Sequence, residues 1–191
     1  TGSRPVSDYQ AALRAVKYRN DSNAPNTGDR TVTFIVDDGQ PDDHDSNHLD
    51  WTLHVVATND APAAAAQSFT GLKRAVGNTT LRVHDSANGA TPAVTGPSKD
   101  VQGNLKSGAA DPDGDVSAIT VAPATGQATT KGGTVDVFAN GDFVYHPPKG
   151  YTGTDTFTYT LDDHEPVYRT GSGTVTVSVQ DMVWYVDGSA S

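Results

Sequence analysis

The chain has 191 residues, of which 35% are hydrophobic, and a formal net charge of -10. Its 13 Lys and Arg are scattered among 23 acidic residues, so we expect no nucleic-acid partner. The absence of Cys excludes disulfides, thiolate catalysis and Cys-based zinc sites. No run approaches the roughly 20 apolar residues that cross a bilayer, so we expect no membrane insertion.

The acidic residues are 22 Asp and a single Glu, Glu165. Asp favours turns and loops whereas Glu favours helices, so this imbalance indicates an all-β protein of short strands. Short carboxylate side chains in loops are also the means by which proteins collect calcium. Acidic turns that only keep a secreted protein soluble are the alternative for many of them.

The first part of the chain contains one amphipathic pattern and two β runs. Ser7 and Gln10 form a capping-box pattern at the start of a helix predicted over residues 7–18. Residues 31–36 and 51–57 are predicted strands. One helix and two strands cannot close a sandwich, because the inner face and both edges stay unsatisfied. The missing strands are expected either from a truncated repeat or from another chain by strand addition in trans.

Beyond the linker Asn59-Asp60-Ala61-Pro62, turn signals and β runs alternate at the short spacing typical of a sandwich. Asn140-Gly141 predicts a two-residue type I′ hairpin, in which both turn positions need positive φ. The predicted strands are residues 81–83, 118–121, 134–138, 143–146, 156–161 and 174–179.

An internal repeat divides the chain. Residues 33–41 and 158–166 share a strand pattern, a double Asp and a trailing Pro, and each is followed across a loop by an alternating strand. Tandem related sandwiches explain this pattern. The predicted domains are the C-terminal half of a repeat at 1–60, a complete sandwich repeat at 61–180 and the start of a following segment at 181–191.

Three passages resemble bacterial cadherin-like and VCBS-type tandem repeats: Asp-Tyr-Gln-Ala-Ala-Leu-Arg at 8–14, Asn-Asp-Ala-Pro at 59–62, and Asn-Gly-Asp-Phe-Val-Tyr with Gly-Tyr-Thr-Gly-Thr-Asp-Thr-Phe between 140 and 157. The resemblance implies all-β, Ig- or cadherin-like sandwich repeats, the first truncated and carrying one short helix. It also implies a large bacterial adhesin or secreted protein, located outside the cell or on its surface. Residues 183–187 resemble the start of a parallel β-helix.

The best candidate for a metal site is Asp111-Pro112-Asp113-Gly114-Asp115. Carboxylates that alternate around a tight turn suit Ca²⁺, which takes about 6 to 8 oxygen ligands. The resemblance implies that Asn59, Asp60 and Asp162 join Asp111 and Asp113 at the joint between two repeats.

A second set of candidates lies at the strand ends of the repeat. Asp37 and Asp38 mirror Asp162 and Asp163 and could serve calcium in the first repeat. An acidic turn that ends a strand is the alternative. The His-containing run at 42–50 is interpreted as a solvated loop, since its imidazoles would share a face only in a helix.

The function expected from these observations is non-catalytic. There is no Cys nucleophile and no Gly-x-Ser-x-Gly elbow. We expect a calcium-stiffened spacer whose partners are neighbouring repeats of the same polypeptide and a host or cell-surface glycan or protein. The alternatives are a carbohydrate- or protein-binding module that uses Trp51, Tyr151 or Tyr168, and an accessory domain of a secreted hydrolase whose β-helix begins near Trp184.

Overall fold

The computed structural model describes residues 4–37, 47–113, 116–164 and 167–184. Its chain divides into two compact units, Thr1–Thr58 and Asn59–Ser191. Each unit is described by itself below.

The first unit contains helix α1 (Val6–Ala15) and strands β1 (Arg30–Phe34) and β2 (Leu49–Leu53). The two strands form an antiparallel pair in which Val32 lies opposite Trp51. None of the described residues of this unit is buried, and α1 itself buries none. The described part of Thr1–Thr58 therefore has secondary structure without a hydrophobic core.

The capping box predicted at Ser7 is wrong. Pro5 is the N-cap residue, and no side chain caps the helix. The Pro5 carbonyl accepts the first helical hydrogen bond from the Asp8 N–H at 2.9 Å, so Ser7 lies inside the first turn instead of before it. The helix also ends at Ala15, earlier than predicted, because Val16 has an extended backbone (φ -64°, ψ 126°).

The described part of the second unit contains ten strands. They are β3 (Gln67–Phe69), β4 (Ala75–Gly77), β5 (Thr80–His84), β6 (Ser98–Gln102), β7 (Thr120–Val121), β8 (Ala124–Ala128), β9 (Thr134–Val137), β10 (Phe143–His146), β11 (Gly153–Asp162) and β12 (Thr170–Met182).

These strands form two sheets. One has the order β6-β5-β10-β9-β8, and the other has the order β3-β12-β11-β7 with β4 also paired to β12. Most neighbours are antiparallel, but β3 and β4 run parallel to β12, and β5 runs parallel to β6. The six predicted strands of this unit all appear, whereas β3, β4, β6 and β8 are additional.

The core lies between the two sheets. Phe143 of one sheet contacts Phe157 of the other edge to face, with ring centroids 5.3 Å apart, and Phe69 packs on Phe143 at 5.0 Å. Along β11 every second residue is buried from Asp155 to Leu161, as expected for a strand with one inward face. The predicted all-β, Ig-like sandwich is confirmed for this unit.

The predicted hairpin at Asn140-Gly141 forms between β9 and β10, but it is not type I′. Gly141 has φ 91°, whereas Asn140 keeps a negative φ. The Gly141 N–H donates to the Phe138 carbonyl at 2.9 Å, and the Phe138 N–H donates to the Asp142 carbonyl at 3.0 Å. Three residues therefore make the connection, ending in one left-handed glycine.

We expect the fragment 59–191 to unfold cooperatively on its own, and the fragment 1–58 to show no cooperative transition. The reason is that all described residues with a buried side chain belong to the second unit. Thermal melts followed by near-ultraviolet circular dichroism of the two separate fragments test this. A sharp transition in fragment 1–58 would contradict it.

Candidate functional site

The linker between the two units is bound to one end of the sandwich by its own backbone. The Ala63 N–H donates to the Ala110 carbonyl at 2.7 Å, and the Ala110 N–H returns to the Ala63 carbonyl at 3.1 Å. Earlier in the linker, the Asp60 N–H donates to the Asp113 Oδ2 at 2.5 Å. The linker thus joins the loop that carries the predicted calcium motif.

A glycine makes this close approach possible. A Cβ atom placed on Gly171 would lie 1.8 Å from the Pro62 carbonyl oxygen and 2.9 Å from its carbonyl carbon. Both atoms are backbone, so they cannot swing away as the end of a side chain would. Gly171 at the start of β12 is therefore the residue against which the linker packs.

Asn59 attaches the linker to a second loop. Its Nδ2 donates to the Asp163 Oδ2 at 2.8 Å and to the Val167 carbonyl at 2.7 Å. Asp163 is only 1% exposed, and its Oδ1 accepts the Arg169 N–H at 3.2 Å. Two acceptors fix the orientation of the Asn59 amide, so its Oδ1 is fixed as well.

This Oδ1 is buried and has no hydrogen-bond partner within the described residues. A buried acceptor without a partner costs about 1–3 kcal/mol. A cation or an ordered water is the kind of group that would satisfy it. Asn59 is thus the linker residue whose chemistry fits a metal ligand best.

The Asp111 loop is closed by one of its own carboxylates. The Asp113 N–H donates to the Asp111 Oδ1 at 3.0 Å, and both residues are half-buried. Asp115, the third member of the motif, lies outside the described residues. Within the described ranges, no group of three or more Asp, Glu, His or Cys is arranged to hold a metal ion.

The hydrogen bonds that Asp162 makes with described residues go to His164 and not to the linker. Its Oδ1 accepts the His164 N–H at 3.0 Å and lies 3.0 Å from the His164 Nδ1. The resemblance implied that Asp162 would join the linker, but the structure places Asp163 against Asn59. Alternate side chains of a strand face opposite sides, so only one member of a double Asp can reach the linker.

The remaining predicted ligands belong to the first unit. Asp37 is exposed and follows β1, while Asp38 lies outside the described residues.

The three aromatic residues predicted to form a binding face differ in their exposure. Trp51 and Tyr168 are 66% and 71% exposed, but Tyr151 packs against the core and its hydroxyl donates to the Thr154 carbonyl at 2.8 Å.

Two buried carboxylates were not predicted as important. Asp155 is fully buried and accepts five hydrogen bonds, from Thr129 Oγ1 (2.5 Å), Thr130 Oγ1 (3.0 Å), Lys131 N (2.9 Å), Tyr145 Oη (2.8 Å) and Thr156 N (2.8 Å). Burial opposes its ionisation, but these donors outweigh burial and hold the pKa of Asp155 below its usual value. Burial, with the neighbouring Asp155 carboxylate, raises the pKa of Tyr145.

Asp142 is the second, and it too is fully buried. Its oxygens accept hydrogen bonds from Asp85 N (3.0 Å) and from the Nδ2 atoms of Asn88 (2.9 Å), Asn140 (2.9 Å) and Asn104 (3.4 Å). For Asp155, though not for Asp142, the sequence contains a pattern that predicts burial. Asp155 alternates with the apolar residues Phe157, Tyr159 and Leu161, so its carboxylate is expected on the inward face of the strand.

Comparison with known proteins gives a family-level match. A family model described as bacterial Ig domain matches residues 59–180, which include the linker and the sandwich. No curated protein sequence matches significantly. In the described part of the chain, no helix has the length and apolarity needed to cross a membrane.

A solved structure with some likeness is a nucleoside hydrolase-related hypothetical protein from Saccharophagus degradans that is associated with carbohydrate metabolism. The sequence identity is 18% and the TM-score is 0.38. The match covers 65% of the present chain and 26% of that protein, so the chain spans about a quarter of its length.

We expect Asp155→Asn to destabilise the second unit by about 2–4 kcal/mol at neutral pH, because the amide cannot accept from all the buried donors. The pKa of Asp155 is lowered in the folded state. Its stabilisation is therefore complete above the unfolded-state pKa near 4 and is lost as pH falls through the lower folded-state pKa. Urea unfolding should show that the difference in free energy of unfolding between the wild type and Asp155→Asn narrows below about pH 4.

The matched control is Asp136→Asn, which removes a charge from β9 but keeps an acceptor for the Gly126 N–H. It should change the free energy of unfolding only slightly. A stability difference between Asp155→Asn and the wild type that stays constant as the pH falls would contradict the lowered pKa of Asp155.

We expect Gly171→Ala to release the linker, because the new Cβ would overlap the Pro62 carbonyl. Hydrogen exchange of the Ala63 and Ala110 amides measures this, since both amides are bonded across the linker contact. Both should lose protection in the variant. Ser172→Ala, at the neighbouring exposed position, is the control and should leave both amides protected.

Proposed function

The chain belongs to the bacterial Ig domain family, and from this premise we propose that it is a non-catalytic spacer module stiffened by calcium at the linker end of its sandwich. Domains of this family are typically non-catalytic and usually occur in extracellular or surface proteins. A spacer in such a protein holds its neighbours at a fixed distance and angle. The linker is the part that sets the angle.

The observation that carries the proposal is the attachment of the linker to two acidic loops. Asn59 reaches the buried Asp163, and the backbone of Asp60 reaches Asp113. These contacts bring carboxylates of separate loops to one end of the second unit. Carboxylates that share an end repel one another, and a divalent cation turns that repulsion into attraction.

The residues that would hold the ion follow from their free oxygens. Asn59 offers its unpartnered Oδ1, and Asp111 and Asp113 offer the carboxylate oxygens that the backbone N–H groups leave unused. Asp60 and Asp163 add negative charge nearby. Calcium bound to the folded form alone would add stability according to its concentration and affinity.

We also propose that Thr1–Thr58 is one half of a related repeat that other strands complete. Its antiparallel β1–β2 pair corresponds to the β11–β12 pair of the second unit. In the second unit such a pair is covered by the facing sheet, whereas no described residue of the first unit is buried. The completing strands would come from the same polypeptide or from another chain in trans.

Calcium should raise the melting temperature of the wild-type chain, relative to chelator, by an amount equivalent to about 2–4 kcal/mol at saturating calcium. Asp113→Asn should remove most of this increase. The amide still accepts the Asp60 N–H, so the variant changes the charge of the loop while keeping its hydrogen bond. Differential scanning calorimetry with calcium and with chelator provides the measurement.

Asp136→Asn serves as the control again and should respond to calcium like the wild type. Magnesium at the same concentration should stabilise less, because it demands a stricter octahedral geometry. Melting curves that coincide with calcium and with chelator for all three proteins would refute the calcium proposal.

A further inference from the structure

The second unit has an open cavity of about 520 Å³ that the spacer function does not use. Asn78, Thr79, Thr80, His146, Lys149 and Trp184 line it. Its volume falls within the range of about 300–1,000 Å³ that is usual for small-molecule sites. The lining combines one large aromatic ring with hydroxyl, imidazole and ammonium groups.

The wall that carries Trp184 is held in place by specific contacts. The Val183 N–H donates to the Gly77 carbonyl at 3.2 Å, and the Asn78 Nδ2 donates to the Val183 carbonyl at 3.1 Å. The other end of the Asn78 amide accepts the Gly150 N–H at 2.9 Å. Asn78 therefore fixes the Trp184 segment and the Lys149–Gly150 turn relative to each other.

Trp184 itself is 67% exposed, although it is anchored through its neighbour. A large aromatic ring that is exposed on a fixed backbone loses little entropy when a flat apolar surface stacks on it. The C–H face of a pyranose ring is such a surface. The polar edge of the same ring would then meet the hydroxyl and charged groups of the cavity.

Thr79 supplies the second observation. It is only 8% exposed, and its Oγ1 is buried without a hydrogen-bond partner among the described residues. The neighbouring Thr80 differs, since its Oγ1 lies 3.1 Å from the His146 Nδ1. A buried hydroxyl without a partner costs free energy, and because Thr79 lines the cavity, a ligand hydroxyl that reached its Oγ1 would remove that cost.

The charged groups that line the cavity favour an acidic sugar over a neutral one. Lys149 forms no hydrogen bond or ion pair with the described residues, which is notable in a chain with a net charge of -10. His146 already has neighbours, since its Nε2 lies 4.0 Å from the Asp136 Oδ2 and its Nδ1 lies near Thr80. Lys149 is therefore the donor that is free to meet an acceptor, and a carboxylate is the strongest acceptor a sugar can offer.

We propose that this cavity is a saccharide-binding site for a pyranose ring that carries a carboxylate, a uronic acid. The ring stacks on Trp184, the carboxylate meets Lys149, and a ring hydroxyl satisfies the Thr79 Oγ1. The site gives the module a contact with acidic polysaccharide in addition to its spacer role. It uses none of the calcium candidates.

Fluorescence tests the site directly, because the chain has only two Trp residues. Trp51→Phe removes the one in the first unit and leaves Trp184 as the reporter. Titrations in chelator with trisaccharides of galacturonic, mannuronic and guluronic acid should change the Trp184 emission for at least one of them. The same trisaccharide with methyl-esterified carboxylates should bind about tenfold more weakly.

Variants in the full chain separate binding from folding, with binding measured by calorimetry. Thr79→Val removes an unpartnered hydroxyl, so it should keep or raise the melting temperature while weakening binding about tenfold. Lys149→Gln should abolish the preference for the free acid over the ester. Trp184→Ala should eliminate binding, and Trp51→Ala is the matched control that should bind like the wild type.

Two results would overturn the proposal. One is a Trp184 emission that no acidic trisaccharide changes at up to about 10 mM. The other is unaltered binding in Thr79→Val and Trp184→Ala, which would locate the sugar elsewhere. Because the titrations exclude calcium, neither result depends on whether the calcium proposal holds.

Discussion

The antiparallel ladder between β11 and β12 is the constraint from which both candidate sites derive their positions. Ten residue pairs join the strands, from Gly153 opposite Val179 to Asp162 opposite Thr170. A slip of one residue would turn every inward side chain outward, so the hydrophobic core fixes this register. At one end the ladder presents Asp163 and Gly171 to the linker. Strand β12 has 13 residues and so is roughly 40 Å long. Trp184 follows its far end, after Met182.

Buried carboxylates connect this ladder to the rest of the second unit. Asp155, near the start of β11, is bonded to Tyr145 of the opposite sheet and to the Thr129–Lys131 turn. Asp163, just past the end of β11, is bonded to Asn59 of the linker. The groups that donate hydrogen bonds to Asp155 are neutral, and a network of this kind stabilises only while all its members are present. Polar contacts at one end of β11 therefore join the two sheets, and those at the other end join the sandwich to its linker.

The strands that the sequence predicts are those in which packing and local preference agree. Phe143–His146 and the long runs of β11 and β12 are rich in aromatic and β-branched residues, and all were predicted. By contrast β6 reads Ser-Lys-Asp-Val-Gln and β8 reads Ala-Thr-Gly-Gln-Ala. Such edge strands are defined by the neighbour they pair with, so their own residues carry little signal.

The candidate site was predictable only in outline. The motif from Asp111 and the linker asparagine were visible because alternating carboxylates and a Pro-containing linker are local patterns. Asp163, not Asp162, continues the inward alternation of Phe157, Tyr159 and Leu161, a pattern in the sequence that the prediction for Asp162 did not use. Gly171 could not be found at all, since its role arises from a backbone that approaches it from more than 100 residues away.

The preference for Asp over Glu has a structural cause that is independent of any cation. Asp85, Asp111 and Asp162 each accept the N–H of the residue two positions later, at 3.0 Å in every case. A Glu side chain is one methylene longer and does not close this short ring as readily. Loops of this type therefore hold their carboxylates in fixed positions before any ion arrives. A fixed carboxylate loses little entropy on binding a cation, so this local geometry is compatible with the calcium role that we propose for Asp111.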